Sequence, residues 1–133
     1  MRPAVRRRTK PSSEAEQQYE ADAALAARRA ELLDAAREAE ARFREAQARH
    51  APVTELRPLA EDLDAALTAA MRAAYAAQRA EIGPRGYDDR IYRRKARATP
   101  RVHALTAEAE HLLTLRETHR LNGIPAVPYD PAP

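Results

Sequence analysis

The sequence holds no cysteine, no tryptophan, one phenylalanine, two serines and three glycines in 133 residues. Without cysteine there is no disulfide framework and no thiolate metal site, which fits a reducing compartment. The glycines are too few and too scattered for a phosphate-cradling loop, and Ser12 and Ser13 sit where helix caps are expected rather than in a nucleophile motif. No run of 18 apolar residues occurs. The most apolar window, Ala65–Ala77, is 13 residues long and carries Arg72. The opening MRPAVRRRTK is charged like the front of a signal peptide, but no apolar segment follows it. No membrane contact, cofactor or small-molecule substrate is expected.

What the chain does have is alanine, 32 residues of it, against only 20 Leu, Ile, Val and Phe. So few large apolar residues is a composition shared with disordered chains, but the companion sign, a large net charge, is missing at +3. Alanine is the strongest helix former. The expectation is therefore an all-α fold held by thin, close seams, with burial completed against a partner. Arginine outnumbers lysine 21 to 2, a bias that with abundant Ala and Pro suggests a GC-rich bacterial or phage genome. Charge is segregated. Residues 1–10 and 83–101 carry +5 each, while the stretches between and after them are all net negative. Two basic blocks flanking an acidic body suggest surfaces for acidic partners.

The helical punctuation predicts four helices in one domain, 13–122, between a basic arm (1–12) and a Pro-rich extended tail (123–133). The first helix, about 14–49, starts at a capping box of Ser13 and Glu16. Its residues Leu25, Leu32, Ala36, Ala39, Phe43 and Ala46 repeat at coiled-coil spacing, with Leu33 and Ala26 beside them. Leu25, Leu32, Leu33, Ala36, Ala39 and Phe43 are the candidate oligomer seam. Pro52 ends this helix. A second helix, about 55–82, is capped by Thr54, has Pro58 in or just after its first turn, and stops at Gly83-Pro84. Its stripe is Leu56, Leu59, Leu63, Leu67, Met71 or Ala70, Ala74 and Tyr75. The short connection implies a long antiparallel, coiled-coil-like hairpin. A short basic helix, about 88–98, would be capped by Asp88 and braced by Asp89–Arg93. Thr99-Pro100 opens the last helix, 100–121, which buries Val102, Leu105, Ala109 and Leu112. Gly123, Ile124 and Pro125 would end it.

The basic elbow, RGYDDRIYRRKARATPR, carries Arg85, Arg90, Arg93, Arg94, Lys95, Arg97 and Arg101, with Tyr87 and Tyr92 interleaved. Cations with aromatics can grip phosphates and stack a base or ribose. The same residues could instead pair with acidic helix faces, within or between chains, or simply face water. Arg2, Arg6, Arg7, Arg8 and Lys10 of the arm add a second basic block. No spacing of a sequence-reading DNA motif occurs. Glu108-x-x-His111 matches half of a ferritin-like di-iron ligand set. It occurs once, at the edge of the buried face, and His103, His111 and His119 step by eight residues and cannot converge. No metal ligand is assigned.

The reading that follows is a non-catalytic assembly protein, a homo-oligomer or a subunit of a larger complex such as a phage-like virion. It would work in the bacterial cytoplasm or in the virion and contact neighbours through hairpin, elbow and arms. The alternative is a non-specific nucleic-acid-binding accessory protein using the elbow and the N-terminal arginines. A ferritin-like metal bundle is the distant third.

Overall fold

A computed structural model of the chain describes residues 10–122. The arginines at 2, 6, 7 and 8, the Gly123–Pro125 stop and the Pro-rich tail lie outside the described residues. The described chain forms α1 (Ser13–Ala26), α2 (Arg29–Ala48), α3 (Val53–Ile82), α4 (Arg85–Asp88), α5 (Arg90–Arg97) and α6 (Pro100–Asn122), with no strand among these residues. The fold is all-α, as the composition implies. No helix among the described residues is long and apolar enough to cross a membrane.

α3 is the axis. The contacts with α1 and α2 along α3 and just past its end join residues whose numbers rise on one side as they fall on the other: Arg49 with Glu55, Asp22 with Arg79, then Ser12 with Asp88 of α4. The two lines therefore run antiparallel, compatible with the expected hairpin. α6 also lies antiparallel on α3, through Gln78–Thr106 and Asp64–Arg120. Alanine makes this double packing possible. Ala70, Ala73, Ala74 and Ala76 are fully buried on successive faces of α3, and such small side chains let helices approach from both sides. Phe43 and Leu63 are the largest fully buried side chains, each contributing about 1.5–3 kcal/mol by leaving water. One core joins α2, α3 and α6: Ala36, Ala39, Phe43 and Ala46 meet Leu56, Leu63 and Leu67, and Ala109 and Leu112 close it from α6. The last helix is thus a full partner of the hairpin. Gln78, a buried polar side chain, donates to Thr106 Oγ1 at 2.7 Å, and that hydroxyl donates to the Val102 carbonyl.

Several local expectations are corrected. The first helix is not continuous from 14 to 49; it breaks at Ala27–Arg28, where Arg28 N–H bonds the Leu25 carbonyl three residues back and Arg28 has φ −92°, ψ 0°. No Gly or Pro marks the break. It lets α1 pack beside the C-terminal half of α3 and α4 while α2 follows the N-terminal half. Just after the bend, Arg28 pairs with Glu31, and Arg29 with Glu108 of α6. The α1 cap is Ser12, not Ser13: its hydroxyl accepts from the Ala15 amide at 3.1 Å. The capping box with Glu16 does not form, because Glu16 is one residue too far along the helix.

α3 begins at Val53 behind Pro52, so Thr54 is inside the helix and is not its cap. Pro58 is tolerated in the second turn because the carbonyl it leaves unbonded, on Thr54, belongs to an exposed residue. His50 turns the chain from α2 to α3 at φ 56°. The Ala51 amide bonds the Ala46 carbonyl and the His50 amide bonds that of Gln47, the Schellman closure usually built on glycine. The cap of α5 is Asp89, which accepts from the Tyr92 amide at 2.9 Å; Asp88 is elsewhere employed. Asp89 pairs with Arg85, not Arg93. Pro100 does open α6, with the Thr99 carbonyl accepting from the His103 amide, but the Thr99 hydroxyl points its proton back to the Ala96 carbonyl.

Candidate functional site

The elbow, α4 and α5, is stitched to the body by polar bonds more than by apolar burial: α5 has no buried residue. The stitching begins at Asp88, which accepts from both the Ser12 amide (2.7 Å) and the Ser12 hydroxyl (3.1 Å), joining the start of α1 to the end of α4. A second stitch centres on Asp22. Arg79 of α3 grips its carboxylate with two bonds, of 2.8 and 3.0 Å, and the Tyr87 hydroxyl donates to the same group. Burial works against the Asp22 charge, but the bonds from Arg79 and Tyr87 outweigh it and hold its pKa below the ordinary carboxylate value. Burial, and then the bond to Asp22, push the Tyr87 phenol well above its ordinary range. Within the elbow, Arg93 of α5 donates through Nη1 to the Gly86 carbonyl of α4 at 3.0 Å and ties the two short helices together. Gly86 is buried, and the position needs glycine because a Cβ there would come within 2.3 Å of Ile82 Cγ2.

These bonds redistribute the residues singled out in the sequence. Tyr87 is committed to Asp22. Tyr92 is covered by the Arg85 guanidinium, 4.5 Å from its ring centre, a cation–π contact. Neither tyrosine is an open stacking platform. Arg85 also reaches Asp89, and its Nε is buried without a partner among the described residues. The amide of Tyr92, ahead of the nearby Arg85 charge, holds the Asp89 carboxyl below its usual pKa. Arg101 stands 3.9 Å from Glu81 on α3.

What remains is Arg90, Arg94, Lys95 and Arg97. All four are exposed and form no ion pair among the described residues. At about 100° per residue, Arg90, Arg94 and Arg97 share one arc of α5, and Lys95 lies beyond the exposed Ile91. Tyr92 and Ala96 occupy the opposite, inward side and are half-buried. Lys10 borders a hollow with Arg90 and Ile91, extending the positive surface toward the N-terminal arm. The elbow's two acids are spent inward while four of its cations are not. Sequence reading could not separate these classes, because which cations are spent depends on Gly86, Asp89 and Glu81 lying within reach in the folded chain.

The candidate oligomer seam is used within the chain. Ala36, Ala39 and Phe43 are buried in the core, Leu32 and Leu33 pack on its edge, and Leu25 is half-buried on α1. Glu108, one half of the ferritin-like pair, is bound to Arg29 at 2.6 Å. Among the described residues no group of three or more His, Asp or Glu side chains could hold a metal ion. His119, weighed in the sequence only as a metal ligand, bonds the Ala60 carbonyl through Nε2 at 2.8 Å and meets Phe43 edge-on. No family model matches the chain, and no curated protein or solved structure is significantly similar to it.

Proposed function

We propose that the chain is a non-catalytic helical assembly protein that joins a nucleic-acid-containing complex by laying the outward face of α5 on the phosphate backbone. The observation that carries the reading is the set of unpaired, exposed cations Arg90, Arg94, Lys95 and Arg97, in an elbow whose own acids are otherwise engaged. A helix of 8 residues is about 12 Å long. Over that distance one strand of duplex presents about four phosphates at about 3.4 Å each. Charge and length therefore match without any base contact, and the binding is expected to ignore sequence. A nucleoprotein particle, a virion among them, is the kind of assembly this describes. Because the Ala36–Phe43 seam is buried within the chain, self-association through it is not part of the proposal.

A second reading has one specific observation behind it. Ile91 is 52% exposed in the middle of the cations, and an apolar centre with a charged rim also suits an acidic protein surface. The two separate in one experiment. The full chain is titrated by fluorescence anisotropy with a labelled random-sequence duplex and with polyglutamate of matched charge. Tight duplex binding that an Arg94→Gln/Lys95→Gln variant weakens by about tenfold or more supports the first reading. Binding to polyglutamate alone replaces it with the second.

A further inference from the structure

One flank of α5, at Arg93 and Arg97, borders a cleft. It is an open hollow of about 520 Å³ between α3, α5 and α6. Three guanidiniums, of Arg79, Arg93 and Arg97, line it, against one carboxylate, Glu110. Tyr75, half-buried, and Ile82, buried, supply an apolar wall. The Gln78 and Thr106 side chains on the floor bond each other.

Two of the three guanidiniums are fixed before any ligand arrives. Arg79 is gripped by Asp22 from the α1 side, and Arg93 is held by the Gly86 carbonyl. A guanidinium carries five N–H donors. The bond to Gly86 uses one of Arg93's and the grip of Asp22 uses two of Arg79's. Anchored donors lose little freedom when they bind, which favours a ligand that needs several at once. Arg97 is the third arm, exposed and without an ion pair among the described residues. A cluster of this kind accepts a tetrahedral oxyanion better than a single carboxylate, because phosphate oxygens take bidentate bonds from more than one guanidinium.

We infer that this cleft seats the phosphate of a nucleotide, with Arg93 and Arg97 on the phosphate, Arg79 behind them, and Tyr75 and Ile82 against the sugar and base. The nucleotide is either a free mononucleotide or one residue of a strand lying on α5. The cleft shares Arg97 with the outward cations but not Arg90, Arg94 or Lys95, so substitutions at Arg94 and Lys95 test the backbone contact without touching the cleft.

Calorimetric titration of the full chain with adenosine 5′-monophosphate, and separately with inorganic phosphate, tests it. The expected result is a mononucleotide affinity at least about tenfold above that of phosphate. Arg97→Gln should weaken mononucleotide binding by about tenfold or more, the loss of a charged hydrogen-bonding partner. Tyr75→Ala should reduce it toward the phosphate level, whereas Arg94→Gln on the outer face should leave it within about twofold. Thermal melting of each variant shows that it is folded. Competition by a short duplex then assigns the source: displacement of the mononucleotide means that the cleft takes a strand residue, and co-binding means that it takes a free nucleotide. No binding by about 10 mM ligand overturns the inference, as does equal affinity for phosphate and mononucleotide. Equal losses in Arg94→Gln and Arg97→Gln would also overturn it, since they would mark diffuse surface attraction. If the duplex fails to bind while the mononucleotide binds, the backbone reading falls and the cleft stands.

Discussion

Replacing Tyr87 with phenylalanine removes one hydroxyl and tests how the basic end is held. Tyr87 sits on α4, its acceptor Asp22 on α1, and Arg79, which shares that acceptor, on α3. A hydrogen bond to a charged group contributes about 1.5–3 kcal/mol. The low end applies, because Arg79 still satisfies Asp22 in the variant and the ring stays in place. For a chain of this size, about 1.5 kcal/mol corresponds to a melting-temperature loss of about 5–7 °C at neutral pH.

The pH dependence gives a sharper test of the same bond. The Tyr87 pKa is raised in the folded protein above its ordinary 10.0. Its contribution is therefore complete below that value and is lost as pH rises above it. Circular-dichroism melts of wild type and Tyr87→Phe from pH 7 to 11 should show a gap that is constant to about pH 9 and shrinks from about pH 10 upward. The difference between the two proteins cancels the other tyrosines. Equal melting temperatures at pH 7, or a gap that does not change to pH 11, would refute the assignment of Tyr87 as a donor to Asp22.

Other expectations follow from the same geometry. Gly86→Ala drives a methyl into Ile82 and should cost about 1–3 kcal/mol by overpacking in the wild-type background but far less when made in an Ile82→Ala background; urea melts of the two single variants and the double variant measure the difference. Ser12→Ala loses the cap of α1 and a bond to Asp88, for a loss of about 0.5–2 kcal/mol by chemical denaturation. At the acid end, Asp22 and Asp64 have folded pKa values below the ordinary 3.8, so their stabilisation is present above that pH and fades as pH falls below it. Asp22→Asn should therefore flatten the acid limb of the melting curve.

The residues that carried type and period were legible before the structure. Pro52, Gly83-Pro84 and Pro100 set three helix ends to within two residues, because proline and glycine act through backbone sterics that need no partner. The stripe from Leu56 to Ala74 became the core of α3 for the same local reason. What was not legible depends on distant residues. The bend at Ala27–Arg28 has no Gly or Pro to announce it, so nothing local in the sequence marked it. Ser12 outcompetes Ser13 as a cap where Asp88, far along the chain, holds it from the other side. In the elbow, counting arginines could not tell Arg93, bound to Gly86, from Arg94, which bonds nothing among the described residues. Tyr87 and Tyr92 read as stacking residues until Asp22 and Arg85 were seen to occupy them.

The central claim, that the outward cations of α5 bind phosphate, is tested most directly by the salt dependence of duplex binding by wild type and Arg94→Gln/Lys95→Gln. Each neutralised phosphate contributes about −0.9 to the slope of log affinity against log salt. The four α5 cations give about −3.6, with the N-terminal arginines making it steeper, and the variant should be shallower than wild type by about 1.8. Identical slopes for the two proteins would contradict the claim.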